Sequence, residues 1–173
     1  MNYTFRVPLL VYSTKVTPVT NHIGETVFGL ARWHKSYFSL TKRYNFKVID
    51  TNNRTIVSAE MRDKHFKNPS WDITYGESLE NRIEMWCKTK SPTHPRYYFY
   101  FSGFNYKIIK NTGDKKTFIY NQDDKEIAQY TYSYKGLNFI TPLYEMTTTN
   151  KLDIPVEVLI CLLRCYDTSS RSI

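Results

Sequence analysis

The chain has 173 residues, with 24 lysines and arginines against 16 aspartates and glutamates, a formal charge of +8. Aromatic residues make up 16% of it and only three alanines occur (Ala31, Ala59, Ala128), a composition that favours strands over helices. Apolar residues at 41% exclude a disordered chain, and the length suits a single domain over residues 1–173 that needs no disulfide or metal staple.

The N-terminal stretch lacks the basic start and long apolar segment of a signal peptide. Its run Val7-Pro8-Leu9-Leu10-Val11-Tyr12 is short and interrupted by proline. No window approaches the roughly 20 apolar residues of a membrane-spanning helix. Cys87, Cys161 and Cys165 are odd in number and lack framework spacing, so the expectation is reduced cysteines in a cytoplasmic protein.

As far as residue 149 the chain reads as short alternating segments separated by turns. Thr26 to Trp33 follows Gly24. Arg43 to Asp50 places Tyr44, Phe46 and Val48 on one face, and Arg54 to Met61 answers with Val57, Ala59 and Met61. Ile83, Met85 and Cys87 alternate with Arg82, Glu84, Trp86 and Lys88, and Tyr97 to Phe101 is aromatic throughout. Phe104 to Ile108, Phe118 to Tyr120 and Ile127 to Tyr134 complete the series. Strands at this spacing, without helical periods between them, predict an antiparallel sandwich or barrel.

One register can be proposed. A two-residue turn at Asn52-Asn53 sets Ile49 opposite Ile56, Val48 opposite Val57, Phe46 opposite Ala59 and Tyr44 opposite Met61. Lys47 then faces Ser58, Asn45 faces Glu60 and Arg43 faces Arg62. A one-residue slip would bury the charges.

The C-terminal segment breaks the alternation. Asp153 suits an N-cap and Pro155 a first turn, and Val156 to Tyr166 is apolar on nearly every side, with only Glu157 and Arg164 polar. A helix without a polar face is surrounded by protein or lipid. At about 1.5 Å per residue this one is too short for a bilayer, so residues 153–166 are expected to form a buried central helix. A short polar tail would follow over 168–173.

A β-rich chain closed by such a helix resembles the tubby C-terminal-like superfamily, which includes the LURP-one-related proteins, bacterial relatives and, more distantly, the phospholipid scramblases. The likeness is carried by Gly24-Glu25-Thr26-Val27-Phe28, the hairpin Phe46–Asp50 to Arg54–Val57, Phe104–Ile108, Lys125-Glu126-Ile127 and the closing Leu152–Asp167, about residues 3–167 in all. The resemblance implies a closed antiparallel β-barrel around a C-terminal hydrophobic helix, and a binding module rather than an enzyme. The proline-rich leader, cysteine cluster and acidic calcium-binding segment of scramblases have no counterpart, which argues against lipid scrambling.

Site chemistry is sparse. His22, His34, His65 and His94 occur singly, without the spacings of a zinc site, and no metal or cofactor is expected. Cys161 and Cys165 sit among Leu, Ile and Val, where thiolates are unfavourable, and Cys87 falls on an apolar strand face, so all three are read as core residues. No nucleophile elbow, phosphate loop or dinucleotide fingerprint is present. Charge is the informative feature: residues 1–120 carry +10 and residues 121–173 carry −2. In the proposed register Arg43 stands opposite Arg62 with Lys47 and Lys64 nearby and Lys42 at the strand entry. Like charges across a strand pair are unfavourable unless an anion lies between them. These five residues form the candidate anion site. The expected partner is an anionic phospholipid surface, bound peripherally at the inner membrane face, or another phosphorylated ligand. The alternatives are a binder of single-stranded nucleic acid stacked on exposed Tyr and Trp, and a small-molecule carrier or enzyme without a recognisable motif, its ligand inside the barrel.

Overall fold

A computed structural model describes residues 1–7, 13–33, 45–62, 70–88, 95–111, 113–134, 142–149 and 153–171. Twelve strands follow one another: β1 (Asn2–Arg6), β2 (Thr17–Asn21), β3 (Thr26–Arg32), β4 (Phe46–Ile49), β5 (Thr55–Met61), β6 (Trp71–Tyr75), β7 (Asn81–Cys87), β8 (Tyr97–Phe101), β9 (Phe104–Ile109), β10 (Lys116–Tyr120), β11 (Glu126–Ser133) and β12 (Leu143–Thr148). One helix, α1 (Val156–Arg171), ends the chain. Each strand pairs antiparallel with its sequence neighbours, and β1 closes the ring on β12 through Asn2–Arg6 against Leu143–Thr147. A closed barrel has no free sheet edge. The strands deliver the alternation read from the sequence: Ile73, Ile83, Met85, Phe99, Ile108 and Ile119 all point inward and are fully buried.

The helix fills that interior. Val158 to Leu163, Cys165 and Tyr166 are at most 1% exposed. Its partners come from all round the ring: Phe46 of β4, Trp71 of β6, Tyr97 of β8, Tyr130 of β11 and Tyr144 of β12. Two details differ from expectation. The first is the start: Pro155, not Asp153, caps the helix, its carbonyl accepting from Val158 and Leu159. The second is the end, since α1 runs five residues past Tyr166 through the expected polar tail, and Asp167, Thr168 and Ser169 are buried.

Those polar residues are accommodated by pairing. Asp167 Oδ2 accepts from Arg164 Nη1 at 2.6 Å and from the Tyr144 hydroxyl at 2.8 Å, and Oδ1 faces the Tyr130 hydroxyl at 3.5 Å. Ser169 Oγ donates to the Cys165 carbonyl and accepts from Trp71 Nε1 at 3.1 Å, while Thr168 Oγ1 donates to the Arg164 carbonyl. The Arg164 guanidinium also lies 5.1 Å from the centre of the Phe46 ring and 5.9 Å from that of Tyr144. Burial pushes the phenols of Tyr97, Tyr130 and Tyr166 and the Cys165 thiol above their ordinary values.

The β4–β5 hairpin corrects the proposed register at its tip. Phe46↔Ala59, Lys47↔Ser58 and Val48↔Val57 hold, but a bulge after Val48 sets Ile49 opposite Thr55 rather than Ile56. The turn is Thr51-Asn52-Asn53, with Asn53 in the left-handed region at φ 63°. The Asp50 carboxylate accepts from the amides of Asn52 (2.9 Å) and Arg54 (2.8 Å), favouring three residues over two. The β2–β3 and β10–β11 turns repeat this chemistry. Asn21 Oδ1 accepts from Ile23 and Glu25, with Gly24 at φ 86°, and Asn121 Oδ1 accepts from Asp123 and Lys125, with Asp124 at φ 59°.

Candidate functional site

Because consecutive strands alternate in direction, the connections sort onto the two ends of the barrel. The β2–β3, β4–β5, β6–β7, β8–β9 and β10–β11 turns lie at one end with the entry to α1. The β1–β2, β3–β4, β5–β6, β7–β8, β9–β10 and β11–β12 connections join strands at the other. The sequence charges these ends oppositely. The six connections at the second end, residues 7–16, 33–45, 62–70, 88–96, 110–115 and 134–142, hold thirteen basic and two acidic residues, +11. The turns and the segment leading into the helix, residues 22–25, 50–54, 76–80, 102–103, 121–125 and 149–155, hold three basic and seven acidic residues, −4.

The structure describes two of the five candidate anion-site residues, Lys47 and Arg62. Lys42, Arg43 and Lys64 lie outside the described residues, and with them the proposed Arg43–Arg62 and Tyr44–Met61 pairs. Lys47 sits on the outer wall of β4, half-buried between Ala31 and Ser58 across the two neighbouring strands. Arg62, just beyond β5, is held by carboxylates: its Nε lies 2.5 Å from Asp72 Oδ2 and its Nη1 2.8 Å from Glu84 Oε1. Arg82 donates to the other oxygen of Asp72 at 2.8 Å. The hydrogen bond that Arg62 donates to Asp72, together with the charge of that carboxylate, holds the guanidinium still more firmly in its cationic form. These carboxylates stand 10 and 22 residues away on β6 and β7, separations that no local spacing rule in a sequence detects. The structure therefore gives Arg62 acidic neighbours the sequence did not suggest.

Two other features bound what the site can be. The barrel interior holds α1 and the rings packed on it, and the outer wall faces away from them. On that wall a groove of about 280 Å³ is lined by Val16, Pro18, Phe28, Gly29 and Ile49 beside the 50–53 turn. Its one carboxylate, Asp50, is engaged by the amides of its own turn and by the Arg54 side chain at 2.9 Å. Those hydrogen bonds, the Arg54 amide first, lower its pKa below the usual carboxylate range. Cys161 and Cys165 lie in the core as expected. Among the described residues, no three His, Cys, Asp or Glu side chains are grouped as metal ligands would be, and no helix is long and apolar enough to cross a membrane.

With this geometry in hand, comparison with known proteins gives a consistent answer. The Tubby C-terminal like domain family matches residues 3–167, and the chain belongs to that family. Among solved structures, the X-ray structure of a protein from Arabidopsis thaliana shares the fold, with a TM-score of 0.54 and 10% identity over 98% of this chain and 92% of that one. No curated protein matches in sequence.

Proposed function

We propose that this member of the Tubby C-terminal like domain family is a non-catalytic binding module that docks its basic barrel end on an anionic phospholipid surface. The fold supports a binding module in general. The separation of +11 at one end from −4 at the other supports this ligand in particular. A charged surface of one sign steers and holds an extended anionic partner, and turns the oppositely charged end away from it. Lys42, Arg43 and Lys64 are the cations assigned to the contact, with Lys47 on the adjoining wall. Arg62, neutralised by Asp72 and Glu84, contributes least.

Juxtamembrane cations contribute about 1 kcal/mol each near an anionic leaflet. Changing Lys42, Arg43 and Lys64 together to Gln is therefore expected to weaken binding by somewhat more than about a hundredfold in co-sedimentation with phosphatidylserine-containing vesicles. Arg54→Gln with Lys125→Gln, at the acidic end, is expected to leave it unchanged. Equal binding of the wild type to neutral and anionic vesicles overturns the lipid reading.

A further inference from the structure

The run Tyr97-Tyr98-Phe99-Tyr100-Phe101 is aromatic on both faces of β8, and only one face is explained by the core. Tyr97, Phe99 and Phe101 point inward and are buried, whereas Tyr98 and Tyr100 point out, Tyr100 being 53% exposed. The outer face continues across three further strands in register. Trp86 of β7 stands opposite Tyr98, Tyr98 opposite Lys107 of β9, and Lys107 opposite Tyr120 of β10. Phe118 extends the row, its ring 6.0 Å from that of Tyr120. The cations are interleaved with the rings rather than set around them. Lys88 Nζ lies 4.8 Å from the centre of the Tyr98 ring, and Lys107 Nζ lies 5.6 Å from that of Tyr120 while also pairing with Asp124.

From this juxtaposition we propose that the outer face of β7–β10 is a second binding surface, taking a single-stranded nucleic acid. Such a strand presents an aromatic ring and an anion at every unit, and the row answers with aromatic rings and ammonium groups in alternation. Bases stack on Tyr98 and Tyr120 while Lys88 and Lys107 turn from those rings to the phosphates. A peptide adding as a strand has no place here, because β7 to β10 are each already paired on both sides. Lys88 opens the β7–β8 connection at the basic end, so the two surfaces meet there, whereas Tyr98, Lys107 and Tyr120 lie on strands and variants at them test this surface by itself.

The test is fluorescence anisotropy of a labelled oligouridine of about twelve nucleotides, within the site sizes of about 4–16 nucleotides typical of such binders. Inorganic polyphosphate of equal charge serves as competitor. The oligonucleotide is expected to bind at least about tenfold tighter than the polyphosphate. Tyr98→Leu should weaken it about tenfold while Tyr98→Phe retains it, because loss of one stacked base has that effect. Lys107→Gln should lower the slope of log affinity against log salt by about one. Thermal melting checks that each variant is folded. If Tyr98→Leu melts early, Tyr120→Leu, at the other stacking ring, replaces it. Equal competition by polyphosphate, or a folded leucine variant that binds as wild type, overturns the proposal. Loss of vesicle binding in Tyr98→Leu with oligonucleotide binding intact also overturns it and assigns the rings to the membrane.

Discussion

The two ends of the barrel follow different rules. At the acidic end the five hairpin connections have two to five residues, and three of them share one device: an Asn or Asp side chain that takes two turn amides while a Gly, Asn or Asp adopts positive φ. At the basic end the connections have six to thirteen residues and share only their charge. Residues at the first end are fixed by backbone hydrogen bonds and strand register. The second end is built from the longer connections, which is where a rigid scaffold carries its recognition surface. The helix joins the two, apolar where it enters and polar, through Arg164, Asp167 and Ser169, where it reaches the basic end.

The largest test of this contrast lies midway along the helix. Leu159→Asp places a carboxylate among apolar side chains, at a cost of several kcal/mol against a total stability of about 5–15 kcal/mol for a domain. Circular dichroism and gel filtration are expected to show an unfolded or aggregated chain. A monomeric native fold would mean that α1 is not enclosed.

Next comes the buried pair. Asp167→Ala leaves Arg164 charged and unpaired at the inner wall, and a loss of about 3–5 kcal/mol in urea denaturation is expected. Replacing both partners, Arg164→Met with Asp167→Leu, should recover most of it. If the double variant is as unstable as the single, the pair is not the element that makes polar residues tolerable inside the barrel.

Alkali tests the same region from another side. Tyr97, Tyr130 and Tyr166 keep their protons in the folded state above the ordinary phenol range of about 10, chiefly because burial opposes the phenolate. Their contribution is complete below that value and is lost as pH rises towards the folded values, since only the unfolded chain releases the protons. The urea midpoint should fall between pH 8 and pH 11. An unchanged midpoint would show these hydroxyls to be open to water.

The smallest effects separate the ends themselves. Gly24→Ala, at φ 86° in a short turn, should cost about 1–2 kcal/mol. Lys64→Gln at the basic end should stay within about 0.5 kcal/mol of wild type. Equal losses at both positions would dissolve the distinction.

How much of this was legible in the sequence depends on how locally each feature is determined. Strand alternation and the polar-free stretch Val158 to Leu163 are local patterns, and they led to an antiparallel sandwich or barrel and a buried helix, while the closed barrel around that helix came from the family resemblance. The bulge after Val48 was missed because it depends on Asp50 taking two amides, a contest between side chain and ladder that alternation does not register. The extension of α1 through Ser169 was missed because polar residues signal exposure until their partners are known, and Tyr144 and Trp71 come from distant strands. The candidate site was legible only as an excess of charge. That Asp72 and Glu84 meet Arg62 follows from the order of β5, β6 and β7 in the ring.

The closure of β1 against β12 has a consequence for how the molecule comes into being. The first strand pairs early with β2 but waits more than 130 residues of synthesis for its second partner, and the helix that fills the interior is made later still. Until then a nascent chain carries apolar strand faces with nothing to cover them. Contacts this distant in sequence slow folding and prolong the exposure of sticky intermediates. Refolding should accordingly be slow and sensitive to concentration, and newly made chains should depend on whatever shields their strands until Val156 to Arg171 arrive.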